Sequence, residues 1–146
     1  MTISVAQKEL VQATWLKVMP IADTAASLFY QRLFELDPSI GRMFRNTNMA
    51  AQRLKLIHML SAAVKGMDSI NALLPTLKDL GRNHVKYGVQ DEHYVSVGEA
   101  LLWTLEQGLG PIYTAKVADA WTATYALIAD VMRQAAHEVS AAQPAH

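Results

Sequence analysis

The sequence predicts an all-α domain, and three observations support that class. Apolar residues recur at steps of three and four along most of the chain, and these runs begin and end at Pro, Gly or capping residues. No segment shows a clear alternation of period two that would indicate a strand. The chain has 146 residues, 51% of them hydrophobic and 18% charged, so it can bury one sizeable core. We therefore expect a single domain over 1–146, folded from about 4 to 139, with a frayed C-terminal tail.

Two long helices and a short one are expected in the N-terminal part. Ser4 and Gln7 have the spacing of a capping box, which predicts a first helix that runs to Pro20. A second helix is expected over 21–36. Asp37 and Pro38 end it, because they supply an N-cap and a first-turn proline for a short third helix.

The later helices are expected between similar start and stop residues. Asn48 and Gly66 bound the fourth helix, Asp68–Ser69 and Gly88 the fifth, Asp91 and Leu109 the sixth, and Thr114 begins the long last one. Six or more helices joined by short connections follow from this pattern.

Composition excludes several classes of protein. Lys plus Arg and Asp plus Glu number 13 each, so the chain lacks the basic excess of a nucleic-acid or anionic-membrane binder. The absence of Cys excludes disulfides, iron–sulfur clusters and Cys-based zinc sites. No apolar run is long enough for a membrane span, and the N-terminus lacks a signal-peptide pattern, so we expect a cytoplasmic protein.

Among the five histidines, His84 is the candidate for chemistry. It shares the apolar face of the fifth helix, where it is either a hydrogen-bonded core residue or a metal ligand. His93, His137 and His146 are expected to be solvated. His58 lies about 120° around the helix from Gln52, so the two cannot face one ligand.

Two other features stand out. No acidic residue occurs between Asp37 and Asp68, whereas five basic residues do, which indicates either a solvated helix face or a surface that pairs with an anionic group. These five are Arg42, Arg45, Arg53, Lys55 and Lys65. Tyr30 lies among apolar neighbours, where a buried phenol needs a hydrogen-bond partner.

Together these residues form a pattern that resembles the globin family. The matching positions are Tyr30, Pro38, Phe44, Gln52, Lys55, Leu56, His84, Gly88–Val89, Val97–Gly98–Glu99, Leu101–Leu102, Leu105–Glu106, Leu109–Gly110–Pro111, Trp121 and Tyr125. The likeness extends from about Ser4 to Met132 and is strongest to neuroglobins and bacterial single-domain globins. The spacings agree as well, with 14 residues from Tyr30 to Phe44 and 32 from Gln52 to His84.

The resemblance implies a globin fold of six to eight helices around a non-covalent haem b with its iron. His84 matches the proximal metal ligand, whose second ring nitrogen would donate to the Leu80 carbonyl. The distal, ligand-binding positions match Tyr30, Gln52 and Leu56. The positions against the cofactor match Phe44, Lys55, Val89, Tyr94 and Val97.

Two departures from the relatives bear on reactivity. Gln52 stands where neuroglobins have a His that can bind the iron, so we expect an open sixth position in the ferrous state, with Lys55 or Tyr30 as possible ligands in the ferric state. Ala136 stands where flavohaemoglobins have a glutamate that strengthens the proximal His. Glu138 lies about 200° away around the helix and is a poor substitute.

The resemblance implies three functions, one of them enzymatic. The first is reversible, high-affinity binding of O₂, and also of NO and CO, for oxygen storage, transport or scavenging. The second is NO dioxygenase activity that depends on a separate reductase, because 146 residues leave no room for flavin and nicotinamide domains. The third is a haem-based redox or gas sensor that signals through a partner. A helical interaction or DNA-binding domain is disfavoured by the zero net charge.

Overall fold

Seven α-helices account for most of residues 3–86 and 88–142, which are the residues that the computed structural model describes. The helices are α1 (Val5–Val18), α2 (Ala22–Leu36), α3 (Pro38–Met43), α4 (Met49–Gly66), α5 (Ile70–Lys86), α6 (Asp91–Leu109) and α7 (Ala115–Ala142). Short 3₁₀ turns follow α1, α4 and α6, and the described residues contain no strand. The all-α prediction is confirmed. Residues 143–146, which include most of the expected frayed tail and His146, lie outside the described part.

Four predicted helix starts are confirmed by hydrogen bonds of the capping side chains. Ser4 Oγ accepts from the Gln7 N–H at 3.0 Å, and the Gln7 side chain accepts from the Ser4 N–H at 3.1 Å. Asp37, Asn48 and Thr114 each accept a backbone N–H from the first turn of α3, α4 and α7. These bonds satisfy donors that have no partner within the helix, which is why such residues begin helices.

The predicted start of α6 is wrong by one residue. Gln90 is the N-cap and Asp91 is the first helical residue. The Gln90 backbone N–H donates to His93 Nδ1 at 2.9 Å, so His93 is engaged at the helix start and is only half exposed. Asp91 in the first turn still interacts favourably with the positive end of the helix dipole.

Side chains from α1 connect the two ends of the chain. Trp121 Nε1 donates to Thr14 Oγ1 at 2.9 Å, and the rings of Trp15 and Trp121 lie 6.1 Å apart. Trp15 Nε1 also donates to Ser61 Oγ at 3.1 Å, which joins α1 to α4. Both indole N–H groups therefore have partners, as large buried aromatic residues require.

The core consists of two clusters of buried residues. The larger cluster is formed by α1, α2, α4, α6 and the first half of α7, and the smaller one by α5, the start of α6 and the second half of α7. Tyr125 packs against both. Tyr30 and the apolar residues singled out by sequence are divided between these clusters. None of the described helices is both long and apolar enough to cross a membrane.

Candidate functional site

His84 lies near the end of α5 and is half buried. Its Nδ1 is 2.5 Å from the carbonyl oxygen of Leu80, the acceptor expected from the sequence. A carbonyl oxygen can only accept, so Nδ1 carries a proton, and in the neutral ring Nε2 then has the lone pair. The ring is thus held in the tautomer that can bind a metal through Nε2.

Tyr30 and Gln52 are brought together although 22 residues separate them. Tyr30 on α2 is buried, and Gln52 in the first turn of α4 donates from Nε2 to Tyr30 Oη at 3.2 Å. Burial raises the pKa of Tyr30, and the hydrogen bond from Gln52 opposes this in part. Tyr30 is therefore a neutral phenol at physiological pH, and its own proton is left for another acceptor.

Aromatic side chains surround the Tyr30 ring. Phe29 packs edge-on with ring centres 5.0 Å apart, and Phe34 and Phe44 lie at 6.0 and 5.7 Å. Phe44 itself is half buried, directly after α3. The hydroxyl and amide thus form a polar pair in apolar surroundings, where hydrogen bonds are stronger than in water.

Leu56 and Val97 belong to the same side of the core. Leu56 lies one turn after Gln52 on α4, Val97 lies on α6, and both are half-buried residues packed on the larger cluster with Phe44. Tyr30 therefore belongs to the larger cluster, and Phe44, Leu56 and Val97 pack against it. Lys55 is exposed.

Val89 and Tyr94 belong to the smaller cluster, which also contains Leu80. Tyr94 is 7% exposed, its backbone carbonyl accepts from Tyr125 Oη at 2.5 Å, and its hydroxyl has no hydrogen-bond partner in the described structure. Burial raises the pKa of Tyr94, and the nearby Asp91 carboxylate adds to this. An unpaired buried hydroxyl costs about 1–3 kcal/mol, so Tyr94 offers an unused hydrogen-bonding group.

The end of α7 carries no substitute carboxylate. Ala136 is buried and lines a cavity of about 320 Å³ together with Val85 and Val89, whereas Glu138 is exposed. His137 Nε2 lies 2.9 and 3.0 Å from the two Asp91 carboxylate oxygens, a contact between α7 and α6 that the sequence analysis missed. Its partner is 46 residues away, and no local pattern could have indicated it.

The described residues contain no group of three or more His, Asp or Glu side chains placed to hold a metal ion. His84 offers one imidazole nitrogen, Nε2, that is not engaged by Leu80. A single imidazole suits a metal whose other ligands come with it, as the four nitrogens of a haem do. The donor set fits a haem.

A family model described as Globin matches residues 27–132. Neuroglobin of Chaenocephalus aceratus is 30% identical over 145 residues, which cover 90% of this chain and 91% of that protein. The flavohemoprotein of Bacillus subtilis (strain 168) is 31% identical over 124 residues, 84% of this chain but 31% of that protein. The chain thus spans about a third of the length of this flavohemoprotein.

Solved structures show the same arrangement of helices. An engineered carbene transferase from Rhodothermus marinus, described as a candidate nitric oxide dioxygenase, superposes with a TM-score of 0.86 at 26% identity, over 96% of this chain and 97% of that one. A hexacoordinated heme protein from an anhydrobiotic tardigrade has a TM-score of 0.82 at 18% identity, over 92% and 96% of the two chains. The second likeness concerns the fold alone.

Proposed function

The chain belongs to the globin family and has its fold, and from that premise we propose that it holds a non-covalent haem b and binds O₂ reversibly with high affinity. NO and CO are further ligands. Members of this family bind haem iron and, through it, diatomic gases. The observation that carries the proposal is the hydrogen bond between Tyr30 and Gln52, which places two donors in one apolar region.

His84 is the residue we assign to the iron, through the Nε2 atom that its tautomer leaves free. We assign Phe44, Val89, Tyr94 and Val97 to apolar contact with the haem, and the exposed cation of Lys55 to a propionate. When bound, this group supplies a metal centre that takes up a diatomic gas. Since the chain has no Cys, a thioether attachment is excluded.

Tyr30 and Gln52 stabilise a ligand that carries partial negative charge. Because Tyr30 Oη accepts from Gln52, the Tyr30 proton is directed away from Gln52, and Gln52 keeps a second N–H. Leu56 keeps this region apolar. A hydrogen bond to a charged acceptor contributes about 1.5–3 kcal/mol, so two of them slow O₂ release by about two powers of ten or more. Neutral CO gains less.

Replacing Tyr30 by Phe tests this proposal. We expect the ferrous protein carrying Tyr30→Phe to release O₂ about ten- to a hundredfold faster, measured by stopped-flow displacement with CO. Tyr113→Phe is the matched control, because Tyr113 is a half-buried phenol outside the site. Release no faster in Tyr30→Phe than in the control would contradict the proposal.

The visible spectrum of the reduced, oxygen-free protein tests the ligand set. One broad visible band is expected, because Gln52 is a poor iron ligand and leaves the sixth position open. Two sharp bands would indicate an internal sixth ligand, and the lack of any haem band after reconstitution would contradict haem binding.

A second candidate function is NO dioxygenase activity, favoured by the likeness to the candidate nitric oxide dioxygenase from R. marinus. This reaction would consume one NO, one O₂ and one electron for each nitrate formed, so it would depend on a separate reductase for the electron. Mixing the oxygenated protein with NO should yield one nitrate per haem within the mixing time. Repeated turnover with a reductase would separate this role from simple binding, and failure to turn over would leave the binding function.

A further inference from the structure

The charge of this neutral chain is unevenly divided. Residues 38–67 hold five of the thirteen Lys and Arg residues and none of the thirteen Asp and Glu residues. This segment therefore has a net charge of +5 and the rest of the chain −5. Such a separation produces a field that orients an approaching charged partner even though the net charge is zero.

Five basic side chains of this segment are exposed to solvent. Lys55, His58 and Lys65 follow one another on α4 at steps of three and seven, so they share one side of the helix, and all three are exposed. Arg42 on α3 and Arg45 in the connection between α3 and α4 are exposed as well. We call these five residues the basic face.

The Lys and Arg residues of the basic face are not neutralised within the described part of the molecule. None of the five forms an ion pair there. Asp23 pairs with Arg53 of the same segment at 3.3 Å and Asp68 pairs with Lys8 at 3.1 Å, and neither forms an ion pair with the basic face.

An apolar residue lies among these cations. Leu54 is 55% exposed and directly precedes Lys55, and the exposed Ala62 lies between His58 and Lys65 on the same side of α4. An apolar centre with a charged rim is the composition of a protein-binding surface. It is less typical of a lipid-binding surface, which has a broader apolar face.

We propose that the basic face docks an electron-donating protein through an acidic surface of that protein. The inference rests on the proposed function, because a haem oxidised to the ferric state needs one electron to bind O₂ again. The partner loses that electron and the ferric iron gains it, with no bond made or broken. Gln52 lies on the same helix about 60° around the axis from Lys55, so the basic face begins next to the ligand site.

Binding of an acidic flavodoxin to the haem-loaded protein tests the proposal. Calorimetry gives the affinity at low and high salt, and stopped-flow mixing gives the rate of reduction by the flavodoxin hydroquinone. The double variant Arg42→Glu/Arg45→Glu is compared with Lys78→Glu/Lys116→Glu, which makes the same change in net charge at exposed lysines of α5 and α7. Neither pair has a role in the ligand site.

At low ionic strength we expect the Arg42/Arg45 variant to bind flavodoxin about tenfold more weakly and to be reduced about tenfold more slowly. In the lysine variant, both the affinity and the rate should change less than about twofold. The difference should largely vanish near 0.5 M salt, where charges are screened within a few ångströms. Leu54→Ser should weaken binding severalfold with no change in the salt dependence, because it removes apolar contact and no charge.

Three outcomes would overturn the proposal. These are equal losses in both double variants, no salt-dependent binding of flavodoxin, and binding to phosphatidylserine vesicles in place of flavodoxin. Haem content and O₂ binding are measured on the same samples by absorption. Loss of flavodoxin binding with intact O₂ binding refutes the docking surface alone, whereas failure to bind haem refutes the proposed function.

Discussion

At the scale of single residues, the tyrosines show how burial and hydrogen bonding set the behaviour of a phenol. Tyr30 accepts from Gln52, Tyr125 donates to the Tyr94 carbonyl, and the Tyr94 hydroxyl has no partner in the described structure. Burial raises the pKa of all three. One type of side chain therefore acts in this core as a hydrogen-bond acceptor, as a donor and as an unpaired polar group.

Tyr94 and Tyr125 form a matched pair for measurements of stability. In the haem-free protein, Tyr125→Phe should lower the free energy of unfolding by about 1 kcal/mol, because it removes a hydrogen bond that joins α7 to α6. Tyr94→Phe should be neutral or stabilising, because it removes a hydroxyl that is already unpaired. Urea unfolding of the two variants checks this, and a loss above about 1 kcal/mol in Tyr94→Phe would contradict it.

Raised tyrosine pKa values also predict a loss of stability at alkaline pH. The folded state holds these protons more tightly than the unfolded chain, so their contribution is complete below the ordinary tyrosine pKa of 10.0 and is lost as pH rises above it. The free energy of unfolding should fall from pH 10 upward. In Tyr125→Phe this fall should be shallower, and an unchanged slope in urea titrations at pH 9 to 11 would refute the assignment.

At the scale of helices, a close approach of α5 and α7 positions the end of α5 that carries His84. Gly81 allows it, because a Cβ at this position would collide with the Met132 carbonyl oxygen. Gly98 has a similar role on α6, where a Cβ would lie 2.7 Å from the Tyr125 ring. Neither contact involves a positive φ, so space rather than backbone conformation requires the glycine.

Gly81→Ala should therefore destabilise the protein by about 1–3 kcal/mol and weaken retention of haem, because α5 must shift away from α7. Gly41→Ala is the control. Gly41 lies on α3, where alanine favours the helix, and the new Cβ would lie at an ordinary contact distance of 3.5 Å from the Phe34 ring. Thermal unfolding and haem transfer to a stronger acceptor measure the two effects. Equal stability of both variants would contradict the steric role of Gly81.

At the scale of the whole molecule, haem binding and folding should be coupled. The residues assigned to apolar contact with the haem are divided between two core clusters, so a bound haem would contact both. Removing haem should lower Tm. Free haem at 100 times its Kd should add about 2.7 kcal/mol to the free energy of unfolding.

His84→Ala tests this coupling, because it removes the assigned ligand and leaves the rest of α5 intact. The variant should lose most haem yet keep the helical content of the haem-free parent, as measured by circular dichroism. Full haem retention, or identical Tm values of the loaded and haem-free parent, would contradict the assignment.

The sequence by itself determined the local features of this protein. Capping side chains act within three residues, so Ser4, Asp37, Asn48 and Thr114 could be identified without a structure. The bond from His84 to Leu80 follows from helix geometry in the same way, and the resemblance to globins supplied candidate site residues. The start of α6 was misplaced because the cap is unusual. The His93 side chain accepts the Gln90 backbone N–H, a role that Glu or Gln more often has.

Only the tertiary structure decided which distant groups meet. The bond from Gln52 to Tyr30 spans 22 residues, that from Tyr125 to Tyr94 spans 31, and the pair of His137 and Asp91 spans 46. Such contacts depend on how whole helices pack, and helix packing is set by the combined shape and burial of many side chains. A periodic pattern identifies the buried face of each helix, but the neighbour that covers this face is determined by the fold.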